Sequence, residues 1–162
     1  MAKNKKKIYQ PHHVNSRQSS YYLLLHEKKE LEAHYDFLDC QLKSVKDQLT
    51  LIVIGSYSQT GVNYTYKVIY NGIEPPKVWI LSPTLVSDPP HVYKDKSLCL
   101  YYPPEQHWRY GASCIYSHTI PWVHEWILFY EIWLLTGEWE HPEVDHRLTK
   151  KTFNDKNKSK IF

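Results

Sequence analysis

Cys99 stands in sequence surroundings that favour a reactive thiol. Lys94 and Lys96 precede it, and nearby positive charge stabilises the thiolate, which is the nucleophilic form. His91 lies eight residues upstream and His107 eight residues downstream, and imidazoles titrate near neutral pH. A thiolate beside such a base can attack an activated carbonyl carbon and form a thioester. The pattern makes Cys99 a candidate nucleophile for acyl transfer, with a packed and inert cysteine as the alternative.

The other two cysteines, Cys40 and Cys114, are expected to pack as small apolar side chains. Cys40 ends a helical pattern and Cys114 lies between Ser113 and Ile115. Free cysteine is among the most buried residue types. Three cysteines cannot all pair within one chain, and the N-terminal lysines lead into no apolar signal segment. We therefore expect a cytoplasmic protein without a disulfide framework.

The elements that must position Cys99 follow from hydrophobic periodicity. From about residue 19 to residue 42, apolar residues recur at helical spacing, which predicts one amphipathic helix. Its apolar face consists of Leu24, Leu31, Tyr35, Leu38 and Leu42. Alternating and β-branched runs then predict an antiparallel meander of three or four strands, with a tight turn at Asn71-Gly72. Strands are expected at residues 47–54, 63–70 and 77–81.

The candidate nucleophile lies in a long irregular segment that precedes a second helix. Residues 82–115 contain five prolines, and a connection of this length in a small domain usually carries function. The second helix is predicted to begin at Thr119 as its N-cap, with Pro121 in the first turn, and to end at Gly137. Its tryptophan-rich surface is apolar nearly all round, which predicts a buried helix, with a partner surface as the alternative. It is too short and too polar to span a bilayer. This order of elements predicts an α+β fold.

The formal net charge of +3 arises from the two ends of the chain. We predict a domain at residues 19–146 between basic tails at residues 1–18 and 147–162. The intervening chain carries nine basic and sixteen acidic side chains, a net charge of −7. Lysine-rich ends are usually solvated, so nucleic-acid binding is not expected of the body. Contact of the tails with nucleic acid or an acidic partner is the alternative.

No metal site and no cofactor are predicted. His141 and His146 lie five residues apart around Glu143 and Asp145, and Cys114 could join such a cluster. Structural zinc ligands usually have closer, paired Cys and His spacings. The five glycines of the chain form no phosphate-binding loop.

Four short motifs lie in a characteristic order along the chain. They are Pro75-Pro76-Lys77-Val78, Pro89-Pro90-His91-Val92-Tyr93, Ser97-Leu98-Cys99-Leu100 and Trp108. Over residues 19–140 this arrangement resembles ubiquitin-conjugating enzymes. In that family a PPKV-type strand entry precedes an HPN tripeptide, the catalytic cysteine follows the Asn by eight residues, and a tryptophan comes eight or nine residues later. Here Cys99 follows His91 by eight residues, and Trp108 follows Cys99 by nine.

The resemblance implies a ubiquitin-conjugating-enzyme-like fold with Cys99 as its catalytic residue. That fold has an N-terminal helix, an antiparallel β-meander, a long active-site loop and a buried C-terminal helix. His91 stands where the family has the Asn thought to support the oxyanion, which implies an oxyanion donor or a general base. A structural loop histidine is the alternative. The candidate supporting residues around the cysteine are Glu105, His107, Trp108 and His118.

The second helix and its Thr136-Gly137-Glu138-Trp139 ending resemble bacterial members of the family. These are found in CBASS antiphage operons beside a cGAS-like nucleotidyltransferase, and the chain resembles their short, single-domain type. The implied function is cysteine thioester transfer acting on the C-terminus of that nucleotidyltransferase, with or without a separate activating enzyme. The alternatives are a conjugating enzyme for a bacterial ubiquitin-like modifier and a non-catalytic partner-binding module. Retention of Cys99 counts against the last.

Overall fold

The computed structural model describes residues 16–101 and 107–140. The described residues divide into two compact units, with the division between Leu128 and Phe129. An N-terminal helix, an antiparallel sheet and a C-terminal helix confirm the predicted α+β class. The predicted C-terminal tail, most of the N-terminal tail, and the residues from His141 to His146 lie outside the described residues. The elements are α1 (Ser16–His34), β1 (Asp39–Val45), β2 (Gln48–Tyr57), β3 (Tyr64–Tyr70), β4 (Lys77–Ser82), a π-helical turn (Ile115–Thr119) and α2 (Ile120–Thr136).

The four strands form a meander in chain order, β1-β2-β3-β4, with antiparallel pairing throughout. At the predicted turn between β3 and β4, the Asn71 side chain accepts hydrogen bonds from the N–H groups of Ile73 and Glu74. Gly72 has a φ of 78° there, a conformation that glycine adopts without steric cost. These observations confirm the predicted turn and the predicted meander.

The first strand corrects the sequence prediction, which extended the helix to Leu42. Helix α1 ends at His34, and Leu42 lies in β1, paired with Leu51 of β2. Helical spacing over residues 35–42 was coincidental, because Leu38, Cys40 and Leu42 also recur at every second residue, which is the spacing of one face of an extended segment. Cys40 therefore belongs to β1 and not to a helix end. It is 7% exposed, and burial raises the pKa of its thiol to about 11.

Strand β2 ends three residues later than predicted because Gly55 is a strand residue and not the start of a turn. Gly55 pairs with Tyr66 of β3. A Cβ at position 55 would lie 2.6 Å from the Tyr66 ring and 2.6 Å from the Leu38 side chain. Glycine at this position thus permits the close packing of two buried side chains.

A buried carboxylate connects α1 to the beginning of the second helical segment. Glu27 is 2% exposed, and its Oε2 accepts a hydrogen bond of 2.9 Å from the Ile115 N–H. Burial raises the pKa of this carboxyl, and the hydrogen bond partly opposes that rise. The Tyr35 hydroxyl adds a second connection by donating to the Tyr116 carbonyl at 2.7 Å. Both contacts hold the π-helical turn against α1.

The start of the second helix also differs from the prediction. Thr119 is not an N-cap, because the π-helical turn runs directly into α2 and leaves Thr119 fully buried inside a continuous helical segment. The predicted end is confirmed: Gly137 has a φ of 77°, and its N–H donates to the Trp133 carbonyl at 2.8 Å. The helix is buried along one stripe rather than nearly all round, since Leu135 is 85% exposed. Among the described residues, no helix is both long and apolar enough to cross a bilayer.

Candidate active site

Residues 91–99 fold into a short hairpin that brings His91 and Cys99 side by side; we call it the cysteine hairpin. Val92 and Leu98 form an antiparallel bridge. The Cys99 N–H donates to the His91 carbonyl at 2.8 Å, and the Tyr93 N–H donates to the Ser97 carbonyl at 2.8 Å. The eight-residue separation of His91 and Cys99 in sequence is therefore a cross-strand pair in space.

The hairpin register decides which side chains accompany the thiol. Side chains alternate between the two faces of an extended strand, so those of His91, Tyr93 and Cys99 lie on one face. Leu98 and Leu100 are buried, whereas Cys99 is only half-buried. The two leucines therefore pack inward, and Cys99 lies on the opposite side of the segment.

Two side chains of this face form hydrogen bonds with the Cys99 thiol. The Tyr93 Oη lies 3.2 Å from the Cys99 Sγ. A hydrogen bond to the His91 imidazole is the largest effect that lowers the pKa of Cys99; burial opposes it, and the Tyr93 hydroxyl lowers the pKa further. The same bond to Cys99 raises the pKa of Tyr93 to about 12, so the phenol keeps its proton and can donate it to a thiolate. The arrangement increases the thiolate population near neutral pH.

Strand β4 also binds the cysteine hairpin. The Leu98 N–H donates to the Val78 carbonyl at 2.8 Å. The Trp79 indole N–H donates to the Asp95 carbonyl at 3.0 Å, and Lys77 Nζ lies 2.9 Å from the Asp95 carboxylate. Three consecutive residues of one strand therefore contact the hairpin and restrict its movement.

Asp95 also organises the hairpin tip from within. Its carboxylate accepts hydrogen bonds from both the Ser97 N–H and the Ser97 hydroxyl. The hydrogen bond from the Ser97 hydroxyl is the largest effect that holds the pKa of Asp95 well below its usual range. The hydrogen bonds from Lys77 and from the Ser97 N–H lower it further. Asp95 thus stays ionised under all physiological conditions and keeps the tip closed.

The base of the cysteine hairpin has an uncommon backbone conformation. His91 has a φ of 54°, in the left-handed region that non-glycine residues seldom adopt, although Asn, Asp and His are enriched there. Its carbonyl accepts a second hydrogen bond, from the Trp126 indole N–H of α2 at 3.2 Å. Asparagine also tolerates this conformation, so the backbone at position 91 would accept either a histidine or an asparagine.

The remaining sequence candidates have contacts away from the thiol or lie outside the described residues. Trp108 is buried, with its ring edge-on to Tyr70 and Tyr101 at centroid distances of 5.5 and 6.0 Å. The contacts of Trp108 with described residues do not include Cys99. His107 is exposed and accepts a hydrogen bond of 3.0 Å from the Arg109 side chain. Glu105 is outside the described residues.

His118 belongs to a different cluster, at the π-helical turn. Its Nδ1 accepts hydrogen bonds from the Cys114 N–H at 3.2 Å and from the Ser117 hydroxyl at 2.9 Å, and its ring lies 5.5 Å from that of Trp122. None of its contacts within the described residues reaches Cys99. Cys114 was predicted to be a packed apolar side chain, but it is only half-buried.

Sequence reasoning missed Tyr93 as a site residue, although its position contained the signal. It lies two residues after His91, so a period of two along an extended segment places both on one face. Its ring also lines a cleft of about 920 Å³ beside the cysteine hairpin. Pro75, Pro76, Leu98 and Tyr101 give this cleft a largely apolar lining. Cys99 does not line this cleft itself, and Tyr93 is the residue that connects the cleft to the sulfur.

Comparison with known proteins agrees with these features. A family model described as type II CBASS E2 protein matches residues 27–147, a range that includes the sheet, the cysteine hairpin and α2. No curated protein matches the chain. The match spans most of the chain and confirms the resemblance to bacterial CBASS proteins drawn from the second helix and its Thr136-Gly137-Glu138-Trp139 ending. The chain belongs to the family of type II CBASS E2 proteins and has an E2-like role in CBASS.

Proposed function

We propose that this protein is a cysteine-dependent acyl transferase with a ubiquitin-conjugating-enzyme-like fold. Its substrate is the C-terminal carboxyl group of the cGAS-like nucleotidyltransferase of the same CBASS system. The observation that carries the proposal is the pair of hydrogen bonds between the Cys99 thiol and the side chains of His91 and Tyr93, which lower the pKa of Cys99. A cysteine with a packing role alone has no need of two polar partners on its sulfur.

In the first step, the Cys99 thiolate attacks the activated C-terminal carbonyl carbon. A sulfur–carbon bond forms, and the activating group leaves with its bonding electron pair. The thioester retains much of the activation energy of the acyl group. The protein then needs only to orient the next nucleophile and stabilise the tetrahedral oxyanion.

In the second step, an amine attacks the thioester carbonyl carbon. A carbon–nitrogen bond forms, the amine loses a proton, and Sγ leaves as a thiolate. We assign His91 as the group that accepts the proton, since its ring forms a hydrogen bond with the Cys99 sulfur. Tyr93 donates its O–H to the departing thiolate and stabilises it.

The cleft beside the cysteine hairpin supports a polypeptide substrate. The cleft of about 920 Å³ is lined by prolines and aromatic rings and includes Tyr93, which contacts the sulfur. Extended peptides bind well against such apolar and aromatic walls. The lowered pKa of Cys99 also weighs against a partner-binding module without catalysis.

The proposal is tested by incubating the protein with the nucleotidyltransferase, with and without any activating enzyme of the operon. Intact-mass analysis should show a transfer product whose formation requires Cys99 and is lost in Cys99→Ala. Cys114→Ala is the matched control, because Cys114 is also free and half-buried and should not be needed. Identical products from wild type and Cys99→Ala would overturn the proposal.

A further inference from the structure

The His91 carbonyl is a point at which two parts of the fold converge on the candidate site. It accepts the Cys99 N–H at 2.8 Å and the Trp126 indole N–H at 3.2 Å. The first bond comes from within the cysteine hairpin, whereas the second comes from α2, 35 residues further along the chain. Trp126 is 4% exposed, so water does not readily replace its N–H.

The backbone of His91 needs such support. A non-glycine residue in the left-handed region persists only where the surrounding structure holds it. If the peptide unit after His91 rotated, the His91 carbonyl would lose its hydrogen bond from the Trp126 indole N–H. The imidazole would then move with the backbone. The ring would then lose its alignment with the Cys99 sulfur.

We propose that Trp126 is a positioning residue whose indole N–H holds the His91 backbone in its left-handed conformation and thereby keeps the imidazole on the Cys99 thiol. This inference rests on the proposed function, in which Cys99 is the nucleophile. Trp126 acts through His91 and needs no contact with the substrate.

Helix α2 is suited to transmit this constraint. Around Trp126 its buried stripe includes Val123 and Ile127, both fully buried, so the indole has a firm support. Tyr93 approaches the sulfur from the hairpin itself and does not depend on Trp126. Loss of the indole N–H should therefore remove the effect of His91 and leave that of Tyr93.

The test must separate the N–H group from the bulk of the ring, because a buried tryptophan also contributes packing. Trp126→3-benzothienylalanine replaces the N–H by sulfur in a ring of nearly the same size, and Trp126→Phe provides a simpler variant. Trp133→Phe, in the same helix, is the matched control. The measurement is the pH dependence of iodoacetamide alkylation at Cys99, followed by peptide mapping. Among the residues that the structure describes, the titratable groups that act on the sulfur are His91 and Tyr93, with Asp95 beside Tyr93.

We expect both Trp126 variants to raise the alkylation midpoint of Cys99 by about one pH unit, a tenfold loss of thiolate at neutral pH. Trp133→Phe should leave the midpoint unchanged. The benzothienyl variant should also unfold at the wild-type temperature. A wild-type midpoint in the benzothienyl variant would overturn the inference, as would an equal shift in Trp133→Phe.

The two proposals fail separately. If the wild-type protein transfers no acyl group, the proposed function fails, whereas the alkylation titration still reports whether Trp126 controls the thiol. If transfer depends on Cys99 but loss of the indole N–H leaves the alkylation midpoint of Cys99 unchanged, only the positioning role of Trp126 fails.

Discussion

Replacing Tyr93 with phenylalanine removes one hydrogen bond from the Cys99 sulfur and leaves an aromatic ring in the wall of the cleft. The two atoms lie 3.2 Å apart. Their hydrogen bond is the largest effect that raises the pKa of Tyr93 to about 12, from an ordinary value of 10.0. The same hydrogen bond also lowers the pKa of Cys99, because a bond between the protonated phenol and the thiolate stabilises both of these forms.

The expected size of the effect follows from the strength of this bond. A hydrogen bond to a charged group contributes roughly 1.5–3 kcal/mol, and one pKa unit corresponds to about 1.4 kcal/mol. Tyr93 is 49% exposed, so water competes for the thiolate and the lower end of the range applies. We expect Tyr93→Phe to raise the pKa of Cys99 by about one unit, which lowers the thiolate fraction at neutral pH about tenfold.

Alkylation by iodoacetamide as a function of pH measures this shift. Peptide mapping separates the signal of Cys99 from those of Cys40 and Cys114, the other free cysteines. Tyr110→Phe is the matched control, because Tyr110 is an exposed tyrosine outside the cysteine hairpin. The reasoning is refuted if Tyr93→Phe leaves the alkylation midpoint unchanged, or if the control shifts it equally.

Four further predictions concern single positions. His91→Asn should fold normally, because Asn tolerates a φ of 54°, but it should raise the alkylation midpoint of Cys99 and slow transfer at neutral pH. Asp95→Ala should speed amide hydrogen exchange at Cys99, because the hairpin tip loses its acceptor for Ser97 and Lys77. Burial lowers the pKa of His124 to about 4, so the folded state loses roughly 2 kcal/mol between pH 7 and pH 5 in urea titrations, as the unfolded histidine gains its proton first. Gly55→Ala should lower the free energy of unfolding by about 2–3 kcal/mol through overcrowding.

Each of these predictions has a control on the same chain. If His91→Asn unfolds, the backbone explanation of position 91 is wrong. Asp36→Ala removes an exposed carboxylate outside the hairpin and should not change exchange at Cys99. The acid destabilisation should be absent in a His124→Gln variant and present in His34→Gln, since His34 is exposed. Ser56→Ala, beside Gly55 on an exposed face of β2, should cost little stability.

The sheet illustrates which parts of the fold local sequence could reveal. β3 (Tyr64–Tyr70) is buried at every second residue, and that alternation is visible in the sequence. Leu38 and Leu42 fit a helix and a strand equally well, and only the pairing of β1 with β2 decides between them. Thr119 was mistaken for a cap because the π-helical turn before it has no local sequence signal.

The same distinction holds at the candidate site. The resemblance to ubiquitin-conjugating enzymes implied that His91 and Cys99 lie close together, and a period of two could have added Tyr93. The Trp126 contact depends on how α2 packs, so no local pattern indicates it. The motif does not reveal that β4 binds Asp95, because Lys77, which forms the ion pair with Asp95, lies 18 residues away in sequence.

The most direct test of the central claim is intact-mass spectrometry of the wild-type protein mixed with its nucleotidyltransferase and an ATP-dependent activating enzyme that adenylates the substrate's C-terminal carboxyl, and quenched in acid without reductant. We predict a covalent adduct whose mass is the sum of the two proteins less one water, which maps to Cys99 and disappears on treatment with a thiol reductant. An adduct that resists reductant, maps to another residue, or forms equally in Cys99→Ala would contradict the account.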